Sequence, residues 1–137
     1  MGGRPLKYLL DTHTLMWAVD APGELSPKAR RLLLDGRNHP LGVSAISIWE
    51  IAQKVAAGKL RLAKPVADWI AEATRPPFVA ILPVDEKVAV ESTLLPGSFH
   101  KDPADRMIVA TARLHGLTVL TKDADLRRYA HVRTLWD

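Results

Sequence analysis

Five short apolar runs constrain this chain more than any other feature. They lie at Leu6–Leu10, Leu41–Ala45, Phe78–Leu82, Leu117–Leu120 and Val132–Leu135, and the segments between them read mostly as helices. Runs of this length without polar alternation suit strands buried on both faces, and strands alternating with helices predict a parallel sheet covered on both sides. Helix starts are well marked. Ser26-Pro27 opens Lys28–Leu34, Pro65 opens Val66–Thr74, Asp85 opens Glu86–Leu94, and Asp102-Pro103 opens Ala104–His115, which Gly116 ends. Two helices in succession between the second and third strands leave room for an arm-like insertion. At 137 residues, with no repeat or linker, residues 1–137 read as a single domain.

In a parallel sheet the carboxyl ends of the strands share one edge with the amino ends of the following helices, and ligands of open α/β sheets bind there. Four acids fall at such junctions. Asp11 closes the first run, Glu50 lies in the first turns of the helix after the second, Asp105 lies in the first turn of the Asp102-Pro103 helix, and Asp123 follows Leu120-Thr121.

Each acid also has a purely local explanation. Asp11 is a good N-cap for Thr14–Val19. Glu50 completes the capping-box pattern Ser47-Ile48-Trp49-Glu50 and precedes Lys54 by four, the favourable order for a helical ion pair. Asp102 directly precedes proline and reads as the cap of its helix, whereas Asp105 shares the face of Ile108, Val109 and Ala112 and leans inward. Asp123 and Asp125 stay ambiguous between strand-end ligand and cap of the Leu126–Tyr129 turn.

Taken together, the four acids say more than any one of them. Carboxylates gathered at one edge repel unless cations neutralise them, and an oxygen-only donor set suits Mg²⁺ or Mn²⁺. Such ions activate water and stabilise a leaving oxygen in phosphodiester hydrolysis. With four of the fifteen acidic residues committed to the cluster, the nineteen Lys and Arg outnumber the remaining acids by eight, a surface suited to a polyanionic backbone. Lys7, Lys54, Lys59, Lys101, Arg106 and Lys122 lie near the junctions, though each taken singly reads first as solvated surface.

Other chemistries find little support. The chain has no cysteine, its five histidines (His13, His39, His100, His115 and His131) lack metal-ligand spacing, and no phosphate loop or nucleophile elbow is present. Trp17, Trp49, Trp69 and Trp136 read as core or as a dimer face. The start Met1-Gly2-Gly3-Arg4-Pro5 lacks an apolar signal core and no run approaches bilayer length, so a cytoplasmic protein without a membrane partner is expected.

These segments resemble a PIN-domain nuclease, and most closely a VapC-like ribonuclease toxin of a type II toxin–antitoxin pair. The matching stretches are "YLLDTHTLMWAV", "LGVSAISIWEIAQKVAAGKL", "HKDPADRMIVATARLHGLTVLTKD" and a closing strand near "VRTLW", in the family's order over almost the whole chain. The resemblance implies a three-layer α/β/α sandwich around a mainly parallel, roughly five-stranded twisted sheet. It implies that Asp11, Glu50 and Asp105 hold Mg²⁺ or Mn²⁺, with Asp123 as the more variable fourth acid. Thr12 and Thr121 match supporting hydroxyl positions; Asp102 and Arg106 match flanking positions of "DPADR", read as cap and local support. It further implies endoribonuclease action on structured RNA, often tRNA or ribosomal RNA, a homodimer, and inhibition by a cognate VapB-like antitoxin. The helices at Ser47–Ala57 and Val66–Thr74 are candidates for antitoxin and dimer contacts.

Three alternatives compete with this reading. A haloacid-dehalogenase phosphatase needs a second Asp two residues after the first, and His13 stands there. A phospho-acceptor receiver domain fits the size and sheet, but it leaves Glu50 and Asp105 unused. A non-catalytic PIN-fold module binding RNA or protein keeps the fold without the chemistry.

Overall fold

The computed structural model describes residues 5–99 and 101–137. The readings made on residues 1–4 and on His100 lie outside the described residues.

All five expected strands are present: β1 Tyr8–Leu10, β2 Leu41–Ser44, β3 Val79–Leu82, β4 Thr118–Leu120 and β5 Arg133–Leu135. Every pairing is parallel, in the order β3-β2-β1-β4-β5, with β1 at the centre. Seven α-helices connect them among the described residues: α1 Thr12–Asp20, α2 Pro27–Leu34, α3 Ala45–Ala56, α4 Val66–Ala73, α5 Glu86–Glu91, α6 Pro103–His115 and α7 Ala124–Arg128.

Alternate residues of each strand feed two cores, as the period-two geometry of a strand requires. Leu9 and Val119 pack with Val88 of α5, Ile108, Val109 and Ala112 of α6, and Leu126 of α7. On the opposite face Leu10, Val43 and Leu120 pack with Leu15 of α1, Ala29 of α2, Ile51 of α3 and Trp69 of α4. The result is the expected three-layer α/β/α sandwich. Trp69 also donates its indole N–H to the Asp20 carboxylate at 3.1 Å, which ties α4 to the end of α1.

Two glycines meet backbone requirements. Gly116 ends α6 in the left-handed region, φ +66°, where a Cβ is strained. Gly42 lies where a Cβ would stand 3.0 Å from the Tyr8 carbonyl oxygen, so its absence lets β2 and β1 pair.

Local details depart from the sequence reading at the cap of α3 and the end of α5, and settle two readings left open. The cap of α3 is Ser44, whose hydroxyl accepts from the Ile46 N–H, so Ser47-Ile48-Trp49-Glu50 is not a capping box. The cap of α7 is Asp123 rather than Asp125, because Asp123 takes both the Asp125 and Leu126 N–H groups. Helix α5 stops at Glu91, short of Leu94, where the Ser92 and Thr93 hydroxyls turn back onto the Ala89 and Val90 carbonyls. Of the two roles read for the tryptophans, Trp69 and Trp136 take the core, whereas Trp49 is 58% exposed and keeps only the reading of a dimer face.

Candidate functional site

The four acids are delivered to the carboxyl edge of the sheet by four different segments. Asp11 follows β1 and caps α1, with its Oδ1 accepting the Thr14 N–H at 2.8 Å. Glu50 stands in the second turn of α3. Asp105 stands in the first turn of α6, three residues after the cap Asp102, whose Oδ1 accepts the Asp105 N–H at 2.9 Å. Asp123 follows β4 and caps α7.

Two threonines join these segments. Thr121 donates its hydroxyl to Asp11 Oδ2 and accepts the Asp123 N–H at 3.0 Å, so one side chain bridges two of the acids. Thr12 donates to Glu50 Oε1 at 2.7 Å, and its oxygen lies 2.9 Å from the Ser47 hydroxyl. Asp11, Thr12, Ser47 and Thr121 are all buried. Their hydrogen bonds therefore act in a medium where an unpaired polar group costs roughly 1–3 kcal/mol.

Arg106 supports the site from outside. Its guanidinium donates to the Ser92 carbonyl at 2.9 Å and to the Phe99 carbonyl, fastening the start of α6 to the end of α5 and to the loop before it. Asp102 thus caps α6, and Arg106 braces its first turn.

Lys101 is the residue whose role the sequence did not disclose. Its Nζ lies 3.1 Å from Asp123, 3.5 Å from Asp105 and 3.6 Å from Asp125, with 22% of its side chain exposed. It is not the solvated surface lysine expected. A faint signal was available, since Lys101 and Asp105 are four apart, but its other two partners come from a distant segment. Lys54 pairs with Glu50 at 3.7 Å, as its spacing predicted.

The charges are uneven. Burial, reinforced by Asp102, pushes the Asp105 carboxyl up to about 7, with Asp123 and Glu50 adding to the rise and Lys101 opposing it. For Asp123, burial is outweighed by the Lys101 hydrogen bond and the two backbone N–H groups, and its carboxyl is held below the usual range. The hydrogen bond that Lys101 donates to Asp123 holds its ammonium well above the ordinary value despite burial, with Asp105 adding to the effect.

The donor chemistry suits a hard divalent cation: all donors are carboxylates, and one of them is costly to ionise without a cation beside it. Among the described residues no three carboxylate or imidazole side chains stand close enough together to enclose an ion, and Lys101 provides the positive charge between Asp105 and Asp123. Two hollows flank the acids. One of about 220 Å³ is lined by Asp11, His13, Trp17, Lys122 and Asp123, with Lys122 Nζ 5.8 Å from the Trp17 ring centre. The other, about 450 Å³, includes Lys101, Asp125 and Arg128 with the loop at Gly97–Phe99.

Comparison with known proteins agrees with this architecture. The PIN domain family matches residues 8–132. The chain is 37% identical over 130 residues to Ribonuclease VapC22 of Mycobacterium tuberculosis, covering 93% of this chain and 97% of that protein. Two solved structures share the fold at lower identity. VapBC2 from Rickettsia felis, bound to a DNA fragment from its promoter, has a TM-score of 0.71 at 17% identity, covering 96% of this chain and all of the other. VapBC-5 from Mycobacterium tuberculosis, a member of the VapBC family of toxin–antitoxin systems, has a TM-score of 0.57 at 21% identity, covering 97% and 100%.

Proposed function

The chain belongs to the PIN-domain family, and from that premise we propose that it is a metal-dependent endoribonuclease toxin that hydrolyses phosphodiester bonds of cellular RNA. The observation that carries the proposal is the convergence of Asp11, Glu50, Asp105 and Asp123 on one sheet edge, joined through Thr12, Thr121 and Lys101. The 37% identity to a named ribonuclease over nearly the whole chain supports it.

Asp11, Glu50 and Asp105, with Asp123, would hold Mg²⁺ or Mn²⁺. When bound, such an ion supplies an activated water and stabilises the departing oxygen. The chain's own residues keep the carboxylates in place. The Thr14 N–H and the Thr121 hydroxyl each take one oxygen of Asp11, which fixes the plane of its carboxylate. Thr12 fixes one oxygen of Glu50 and leaves Oε2 facing Lys54. Outside this acidic centre the excess of basic residues attracts an RNA backbone.

The remaining parts of the reading are a cytoplasmic location, a homodimer and restraint by a VapB-like antitoxin. Similarity to VapBC proteins supports the antitoxin, and the exposed Trp49 of α3 is a candidate contact for a partner. Among the described residues no helix is long and apolar enough to cross a membrane. Structured RNA such as tRNA or ribosomal RNA is the proposed substrate class.

The test compares purified, antitoxin-free wild type with Asp11→Asn on total cellular RNA, with Mg²⁺ or Mn²⁺ and with chelator. Discrete fragments from wild type plus metal alone are expected, with both proteins giving the same circular dichroism. Equal cleavage by both would remove Asp11 from the site. No cleavage by either, with metal still bound, would leave the non-catalytic PIN module as the reading.

A further inference from the structure

We propose that Lys101 is the site's internal counter-cation, and that it competes with the divalent metal for Asp105 and Asp123 and must withdraw when the metal is bound. The inference rests on the metal reading of the preceding section.

Several observations lead to it. Among the described ion pairs, Lys101 Nζ is the one cation that meets three carboxylates, and they come from α6 and, beyond β4, from the cap and first turn of α7. Two of the three are members of the proposed metal set. Its side chain is 22% exposed, and its ammonium donates a hydrogen bond to Asp123 Oδ2. A surface ion pair in that position would be worth little. A cation held between acids that would otherwise repel one another removes a real cost.

Ammonium and metal cannot both occupy the space between the same two oxygens. Loading therefore exchanges one cation for another, and the apparent metal affinity is lowered by the fraction of molecules in which Lys101 is in place. Asp125, whose Oδ1 already accepts from Arg128 at 2.6 Å, offers its Oδ2 as a resting place for the displaced ammonium. It is not in the proposed metal set, lies 3.6 Å from Nζ, and borders the 450 Å³ hollow that Lys101 also lines. Withdrawn toward that hollow, Lys101 faces the side on which Arg128 also stands, where a phosphate of bound RNA would meet two cations.

The experiment is Mn²⁺ binding by calorimetry to the full chain, comparing wild type, Lys101→Met, Lys101→Arg and Lys122→Met. Lys122 borders the flanking hollow with Asp11 and Asp123, so its removal measures the general effect of deleting a nearby positive charge. Lys101→Met is expected to bind Mn²⁺ about tenfold more tightly than wild type. Lys122→Met should shift affinity much less, and Lys101→Arg should stay near wild type. Equal shifts for the Met variants at 101 and 122, or none at 101, would overturn the proposal.

A measurement on wild type alone guards against a variant that does not fold. Amine acylation followed by mass spectrometry should show Lys101 protected without metal and several-fold more reactive at saturating Mg²⁺, with exposed Lys59 unchanged. Lys101 equally protected in both states would overturn the proposal. If wild type and all variants bind no Mn²⁺, the metal reading itself falls, whereas metal binding without either Lys101 effect removes only this inference.

Discussion

At the residue scale the site trades stability for charge. Asp105 carries a carboxyl raised to about 7, chiefly by burial and by Asp102. A carboxyl whose folded pKa lies above its unfolded value costs stability once both states are ionised. The cost is full above about pH 7 and disappears below about pH 4, where both states are protonated. Asp105→Asn in chelator is therefore expected to be more stable than wild type at pH 8, by on the order of 1–3 kcal/mol. That gain should shrink as pH falls through 7 toward 4. Thermal unfolding across that range measures it, and a pH-independent difference would assign the effect to packing instead. The same substitution removes a proposed ligand, so RNA cleavage should fall while stability rises.

At the element scale the caps decide where each acid stands. Asp102 caps α6 and so sets the start of the turn that carries Asp105. Asp102→Ala is expected to cost about 1 kcal/mol of stability, and Asp102→Asn much less, because the amide oxygen still accepts the Asp105 N–H. Urea unfolding of the two variants separates capping from charge. Elements were legible where their signals were local: all five strands, the proline-marked starts of α2 and α6, and the glycine stop at Gly116. Misreadings arose where serines, threonines or acids stood near one another and only tertiary contacts chose between them. Ser44 and Ser47 both suit a cap; Ser44 takes it, and Ser47 is buried against Thr12. Asp123 and Asp125 both suit the start of α7, and Asp123 takes it because Thr121 holds its backbone N–H. Two of the three partners of Lys101 were hidden for the same reason, since Asp123 and Asp125 lie beyond α6 and β4.

For the whole molecule, an acidic centre sits in a chain whose other charges are predominantly basic. Binding of RNA to Asp11→Asn protein in Mg²⁺ is expected to weaken steeply with added salt. A loss of about tenfold or more between 50 and 200 mM is expected for a handful of phosphate contacts. Fluorescence anisotropy with a labelled RNA measures the slope, and affinity indifferent to salt would place recognition outside the basic surface. The sheet order also has a consequence in time. Chain growth lays down β1, β2 and β3 on one side before β4 joins the other flank of β1, and the Thr121 hydroxyl that fixes Asp11 is 110 residues downstream of it. A ribosome translating this message thus exposes Asp11 and Glu50 long before Thr121, Asp105 or Asp123 can reach them. The unfinished polypeptide, emerging beside the RNA that makes it, holds only half of the proposed acidic centre.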